Sequence, residues 1–263
     1  MALRPVRVLL LGFGNVGQAV AEMVLSTKAT LAASGLEIVV AGVSTGSHGC
    51  ALTTTAAGVS LADCLERVRA AEDSGDGKWR LPEGDVPVDS TDAMLNAAAA
   101  ATAAGEWKVD AVLEAVPANF DTGEPALSFL HRALTELNAH AITASKGPVL
   151  HGVTSLTAAA EAADRRFLFE SSVMDGIPIF SLLRQMPAVT VTGFDGILNS
   201  TTNIILTEME EKQCTFDEAL AKAQRAGIAE RDPSGDIDGH DAATKVRFVF
   251  KMTICVLTMT ILY

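Results

Sequence analysis

Val6-Arg7-Val8-Leu9-Leu10-Leu11-Gly12-Phe13-Gly14-Asn15-Val16-Gly17, residues 6–17, decides the fold. Its first half is a β-branched and aliphatic run that stops at glycine, the pattern of a buried strand. Its second half spells G-x-G-x-x-G, and beyond it Val16, Val20, Met23 and Val24 recur at helical spacing. A glycine turn between a strand and a helix is the setting in which this pattern binds a dinucleotide. Gly12 permits the tight turn, Gly14 lets the backbone approach a pyrophosphate, and Gly17 lets the helix pack closely. The helix start then presents free N–H groups and a partial positive charge to the phosphates. Gly12, Phe13, Gly14, Asn15, Val16 and Gly17 are therefore candidate cofactor contacts.

Working outward, Leu36 to Val43 is a second buried strand, which completes a βαβ unit. Helices are predicted over Leu61 to Ala71 and Thr91 to Ala104, the latter capped by Ser90 or Thr91. Val109 to Val116 is a strand stopped by Pro117, followed by a helix from about Glu124 to Leu137 and a strand from His140 to Thr143. From Ala144 the alternation changes. Strands are predicted over Arg166 to Glu170 and Val189 to Ile197, and helices over Asn199 to Glu211 and Phe216 to Ala226. Thr215 and Glu218 form a capping-box pattern, and Gly227 stops that helix. A further helix is predicted from near Gly239 into an apolar tail. The expected fold class is α/β. A Rossmann-type doubly wound parallel sheet occupies residues 1–148, and a second α+β substrate and dimerisation domain occupies 149–263.

Composition excludes several classes. Hydrophobic residues make up 49% and charged residues 20% of the 263, which suits a packed globular core. A net charge of −12 without a Lys/Arg cluster argues against nucleic acid as a partner. Cys50, Cys64, Cys214 and Cys255 are scattered, so reduced thiols and a cytoplasmic location are expected. The apolar run after Arg7 is too short for a signal peptide. The stretch from Phe248 to Tyr263 falls short of the ~20 residues that a spanning helix needs, so no membrane partner is expected. His131, His140, His151 and His240 show no metal-ligand spacing.

Cofactor choice turns on the end of the second strand. An NAD site carries Asp or Glu there to bond the ribose hydroxyls. This chain reads Ser44-Thr45-Gly46-Ser47-His48, with no acid and no evident arginine, and Glu37 lies at the wrong end of the strand. NADP is the expected cofactor, with NAD the alternative.

The segment from Ala229 to Lys245 concentrates Glu230, Asp232, Asp236, Asp238 and Asp241 before Lys245. Asp241 and Lys245 are four apart and share a helical face. One reading is a solvated loop with a surface ion pair worth about 0.3–0.5 kcal/mol. A calcium loop fails, because its twelfth position would be Lys245 where a bidentate glutamate belongs. The other reading is chemical. Carboxylates hold a substrate ammonium, while a neighbouring lysine donates a proton to a carbonyl oxygen under reduction.

These segments together resemble the homoserine dehydrogenase family. Gly196 to Leu206 (GILNSTTNIIL) is similar to that family's GILNGTTNYIL-type stretch. Phe216 to Lys245 follows its F-x-x-AL-x-x-AQ-x-x-GYAE-x-DP-x-x-D-x-x-G-x-DAA-x-K run, with Ile228 in place of tyrosine. Ala144 to Pro148 resembles its TANKGP turn, with Ser145 in place of asparagine. Glu170 to Pro178 (ESSVMDGIP) resembles its E-x-x-V-x-x-G-I-P stretch. Ser200, Met174 and Asp175 stand where glycine is usual or frequent. Residues 253–263 do not match the family's continuation, so a C-terminally shortened member is expected.

The resemblance implies reversible, NAD(P)-dependent hydride transfer between L-aspartate 4-semialdehyde and L-homoserine, in aspartate-derived synthesis of threonine, methionine and isoleucine. It implies a homodimer. Lys245 is the implied acid/base, and Glu230, Asp236 and Asp241 hold the substrate. Lys146 lies between nicotinamide and substrate, and Val116 and Ser145 adjoin the cofactor. A structural monovalent cation such as sodium maps to Glu170 and the carbonyls of Val173, Asp175 and Ile177. A non-catalytic nucleotide-binding relative, and a reductase for another amino-acid-like substrate, remain alternatives.

Overall fold

The computed structural model describes residues 3–75, 77–174, 176–186, 188–189, 192–193, 195–229, 232–239 and 241–246. They fall into two compact units, Met1–Ile177 and Pro178–Tyr263. The expected division after residue 148 falls within a single helix of the first unit.

Unit one is built on a six-stranded sheet. In chain order its elements are β1 (Arg4–Leu11), α1 (Asn15–Ser26), α2 (Lys28–Ala33), β2 (Leu36–Ser44), β3 (Cys50–Leu52), α3 (Leu61–Ser74) and α4 (Thr91–Ala104). They continue with β4 (Ala111–Glu114), α5 (Ala126–Thr135), β5 (His140–Thr143), α6 (Lys146–Ala162), β6 (Phe167–Leu168) and α7 (Ser171–Met174). The strand order is β3-β2-β1-β4-β5-β6. β1 pairs in parallel with β2 and with β4, β4 with β5, and β5 with β6. β3 alone among the strands runs antiparallel, as a hairpin return from β2. The sheet is therefore parallel-dominated rather than wholly parallel.

The order reverses between β1 and β4, and that switch point is where open α/β sheets bind ligands, beyond the carboxyl ends of the strands. Leu9, Leu10 and Leu11 are at most 1% exposed, and Val39, Ala41 and Val43 are buried beside them. Strands covered on both faces read as continuous apolar runs, which is why β1 and β2 were legible. Ser60 and Ser90 cap α3 and α4 by accepting from Asp63 N–H and Ala93 N–H, and Gly75 and Gly105 end them in the left-handed region.

Unit two contains α8 (Ile179–Arg184), α9 (Ser200–Lys212), α10 (Phe216–Arg225) and α11 (Ser234–Ile237), and residues 241–246 are helical. Asn199 caps α9 through Thr202 N–H, and Thr215 with Glu218 completes the expected capping box of α10. Ile205, Ala219, Ala223 and Ala229 form a small core between α9 and α10. The strand expected over Val189 to Ile197 is not found among its described residues, where Val189 and Ile197 are 49% and 70% exposed. A strand needs a partner edge for its backbone groups, and the described residues of this unit offer none. The apolar tail beyond Val246 lies outside the described residues.

Candidate active site

Two clusters of polar chemistry stand out, one in each unit. The first surrounds the glycine turn. Gly12 has φ +101, and a Cβ there would run into the carbonyl oxygen of Ala115, directly after β4. A Cβ on Gly17 would strike the carbonyl oxygen of Gly12, so α1 can begin only by lying against the turn. Gly14 meets nothing within 4 Å, which leaves its backbone open to a ligand. It is the N-cap of α1 and makes no side-chain cap bond. Asn15 and Val16 are exposed in the first turn. Phe13 differs from the expectation in one respect. Its ring is 2% exposed and packs in the core, so only its backbone can meet a cofactor.

The carboxyl ends of β4 and β5 meet this turn through a residue that sequence reading missed. Glu114 ends β4 fully buried. Its carboxyl accepts from Val116 N–H at 2.7 Å, from Ser145 Oγ at 2.9 Å and from the Thr143 hydroxyl. Ser145 N–H donates to Thr143 Oγ1 at 3.0 Å, and Ser145 Oγ lies 3.1 Å from Val116 O. Val116 thus lies beside Gly12, Ser145 is hydrogen-bonded to Val116, and the half-buried Lys146 follows at the start of α6. Ser172 of α7 donates to Thr143 O at 3.1 Å, tying α7 to the same strand end. A glutamate inside the otherwise apolar run AVLEAV, residues 111–116, was the available signal.

Burial pushes the Glu114 carboxyl above its ordinary 4.5, opposed by the bonds from Thr143, Val116 and Ser145. A carboxyl with a raised folded pKa binds its proton more tightly folded than unfolded. Its contribution to stability is therefore complete below 4.5 and is lost as pH rises through the higher folded value. Glu114→Gln removes that dependence. In denaturant titrations across pH, the stability of Glu114→Gln relative to wild type should rise as pH climbs from 4.5. A difference that stays flat with pH counts against the assignment.

The second cluster lies within unit two. Lys245 Nζ is 2.7 Å from Asp241 Oδ2, with side chains 17% and 16% exposed, and it donates to Leu198 O at 2.7 Å. Asn199 is buried, and its Nδ2 donates to Asp236 Oδ1 at 2.6 Å and to Asp241 Oδ2 at 2.9 Å. Its Oδ1 accepts from Thr202 N–H at 2.8 Å. The start of α9 thus locks the amide of Asn199 so that it gathers two carboxylates, and one of these holds the lysine. A lysine and aspartate this enclosed are no solvated surface pair. Lys245, Asp236 and Asp241 are brought together as expected, and Asn199 joins them. Glu230 lies outside the described residues.

The residues matched to a cation are less informative. Val173 is buried, Ile177 is 58% exposed and Glu170 is half-buried, while Asp175 lies outside the described residues. Among the described residues no group of three or more His, Cys, Asp or Glu could hold a metal. No helix of the described residues is long and apolar enough to cross a membrane.

The strand order, the switch point and the glycine turn define a Rossmann-type α/β protein. A family profile described as homoserine dehydrogenase matches residues 178–259. Homoserine dehydrogenase of Methanocaldococcus jannaschii is 32% identical over 240 residues, covering 91% of this chain and 66% of that protein. The NAD(+)-dependent homoserine dehydrogenase of Pseudomonas canavaninivorans is 45% identical over 139 residues, 52% of this chain and 39% of that one. A crystal structure of a homoserine dehydrogenase from Archaeoglobus fulgidus superposes with a TM-score of 0.75 at 26% identity, covering 94% of this chain and 68% of the other. A hyperthermophilic archaeal homoserine dehydrogenase in complex with NADPH gives 0.73 at 27% identity, over 95% and 70%. The chain is similar to homoserine dehydrogenases over most of its length. It spans 39%, 66% and 48% of the length of three curated relatives.

Proposed function

We propose that this protein transfers hydride reversibly between L-aspartate 4-semialdehyde and L-homoserine, with NADP as the preferred cofactor. The observation that carries the reading is the enclosed Lys245 ammonium, anchored by Asp241 and the Leu198 carbonyl and backed by Asn199 and Asp236. The exposed first turn of α1 and the open backbone of Gly14 would hold the pyrophosphate, with Val116, Ser145 and Lys146 towards the nicotinamide. A bound nicotinamide supplies or accepts the hydride.

Lys245 has three donors, and among the described residues two serve Leu198 and Asp241. The remaining N–H would go to the substrate oxygen, giving a proton to the aldehyde oxygen in reduction and taking it back from the alcohol in oxidation. Asp236, Asp241 and Glu230 would surround the substrate ammonium. Lys146 would sit between substrate and cofactor.

One carboxylate and several carbonyl oxygens are hard donors with a single formal charge, so Glu170, Val173, Asp175 and Ile177 suit a monovalent cation in donor chemistry. Such an ion would brace the turn at α7. Self-association as a homodimer belongs to the same reading, with exposed Ile204 and Leu206 available on α9. Free Cys50, Cys64 and Cys214 accord with a reducing, cytoplasmic setting.

The test is homoserine-dependent reduction of NADP and NAD, followed by nicotinamide absorbance. Turnover with homoserine and none with other small hydroxy acids is expected. Nucleotide binding without turnover would leave only a binding protein.

A further inference from the structure

The turn after β2 carries no carboxylate at residues 44–49, so nothing on it can bond a ribose 2′-hydroxyl in the manner of an NAD site. The turn is internally braced. Thr45 N–H and Thr45 Oγ1 both donate to Gly49 O, at 3.0 and 3.1 Å, and His48 N–H donates to Thr45 Oγ1 at 2.7 Å.

A segment distant in sequence closes over it. Leu81 N–H donates to His48 O at 2.9 Å, and His48 Nδ1 lies 3.0 Å from the Trp79 carbonyl oxygen. The two rings stack with centroids 4.0 Å apart and planes 12° apart. Trp79 leans in turn on Phe13 of the glycine turn, centroid to centroid 6.1 Å. This aromatic chain joins the β2 turn to the phosphate loop at one end of the sheet.

Arg80 rides between Trp79 and Leu81. A Cβ built on Gly49 would lie 3.8 Å from Arg80 Nη1, so the guanidinium rests against the turn, and the side chain is exposed. A planar guanidinium pairs with phosphate oxygens through two parallel N–H bonds, which an ammonium cannot match. We infer that Arg80 recognises the 2′-phosphate of NADP, with His48 beside it, and so sets the cofactor preference of this chain. The inference rests on the nucleotide-binding reading above and adds the residue that local sequence did not offer.

Calorimetric titration of wild type and Arg80→Ala with NADPH, NADH, 2′,5′-ADP and 5′-AMP tests it. Wild type should bind NADPH and 2′,5′-ADP about tenfold or more tightly than their unphosphorylated counterparts. Arg80→Ala should lose roughly 10- to 100-fold for the phosphorylated pair, the worth of one charge-assisted contact, and change by less than about twofold for the other pair. Its melting temperature should not move, because the side chain is exposed and its backbone bonds persist. Equal affinities in wild type, or a preference that survives Arg80→Ala, overturn the inference while the nucleotide site stands. Failure of all four ligands to bind removes the reading beneath it.

Discussion

Lys245→Ala should lower kcat for homoserine oxidation by roughly 10²-fold or more, the range for removing a positioned acid/base. NADPH affinity should be unchanged, because the proposed pyrophosphate contacts come from Gly12, Gly14 and the start of α1 and not from Lys245. The lost ion pair will also be felt in stability. Asp241 keeps the Asn199 amide at 2.9 Å but loses its cation, and charge-assisted bonds of this kind are worth about 1.5–3 kcal/mol. A melt recorded beside the kinetics separates the two effects. Unimpaired turnover in a folded variant would exclude Lys245 from proton transfer while leaving the activity itself in place.

Gly12→Ala should produce the second large effect. Alanine at φ +101 is strained, and its Cβ would meet the Ala115 backbone rather than the movable end of a side chain. Left-handed strain and overpacking each cost about 1–3 kcal/mol, so a loss of roughly 2–6 kcal/mol is expected. Any relief must separate the β1 turn from β4 at the switch point, and NADPH binding should weaken by about tenfold or more. Gly14→Ala is the control. With nothing within 4 Å of its Cβ, stability should stay within about 0.5 kcal/mol while nucleotide affinity falls. If Gly12→Ala melts like wild type, the close approach to Ala115 is not what demands glycine there.

Most of unit one was legible because its signals are local. Buried strands announce themselves as apolar runs, and α4 occupies the predicted Thr91–Ala104 between a serine cap and a left-handed glycine. β4 and β6 came out shorter than expected, at Ala111–Glu114 and Phe167–Leu168, because strand ends depend on neighbouring strands as much as on side-chain pattern. The described residues of Val189 to Ile197 form no strand for the same reason: an apolar stretch specifies none unless a partner edge waits for it. The direction of β3 was equally out of reach, since Cys50–Leu52 reads alike whichever way it pairs.

By itself the chain determined the β1–glycine turn–α1 unit, the capped helices and the Asp241–Lys245 pair. Each depends on residues a few positions apart, whose geometry the backbone period sets. Folding alone decided the contacts that span the chain. Glu114 reaches Thr143 and Ser145, Asn199 collects Asp236 and Asp241, and Arg80 comes to rest on Gly49. A carboxylate or guanidinium acquires its role from what surrounds it, and those surroundings come from remote segments packed to exclude water.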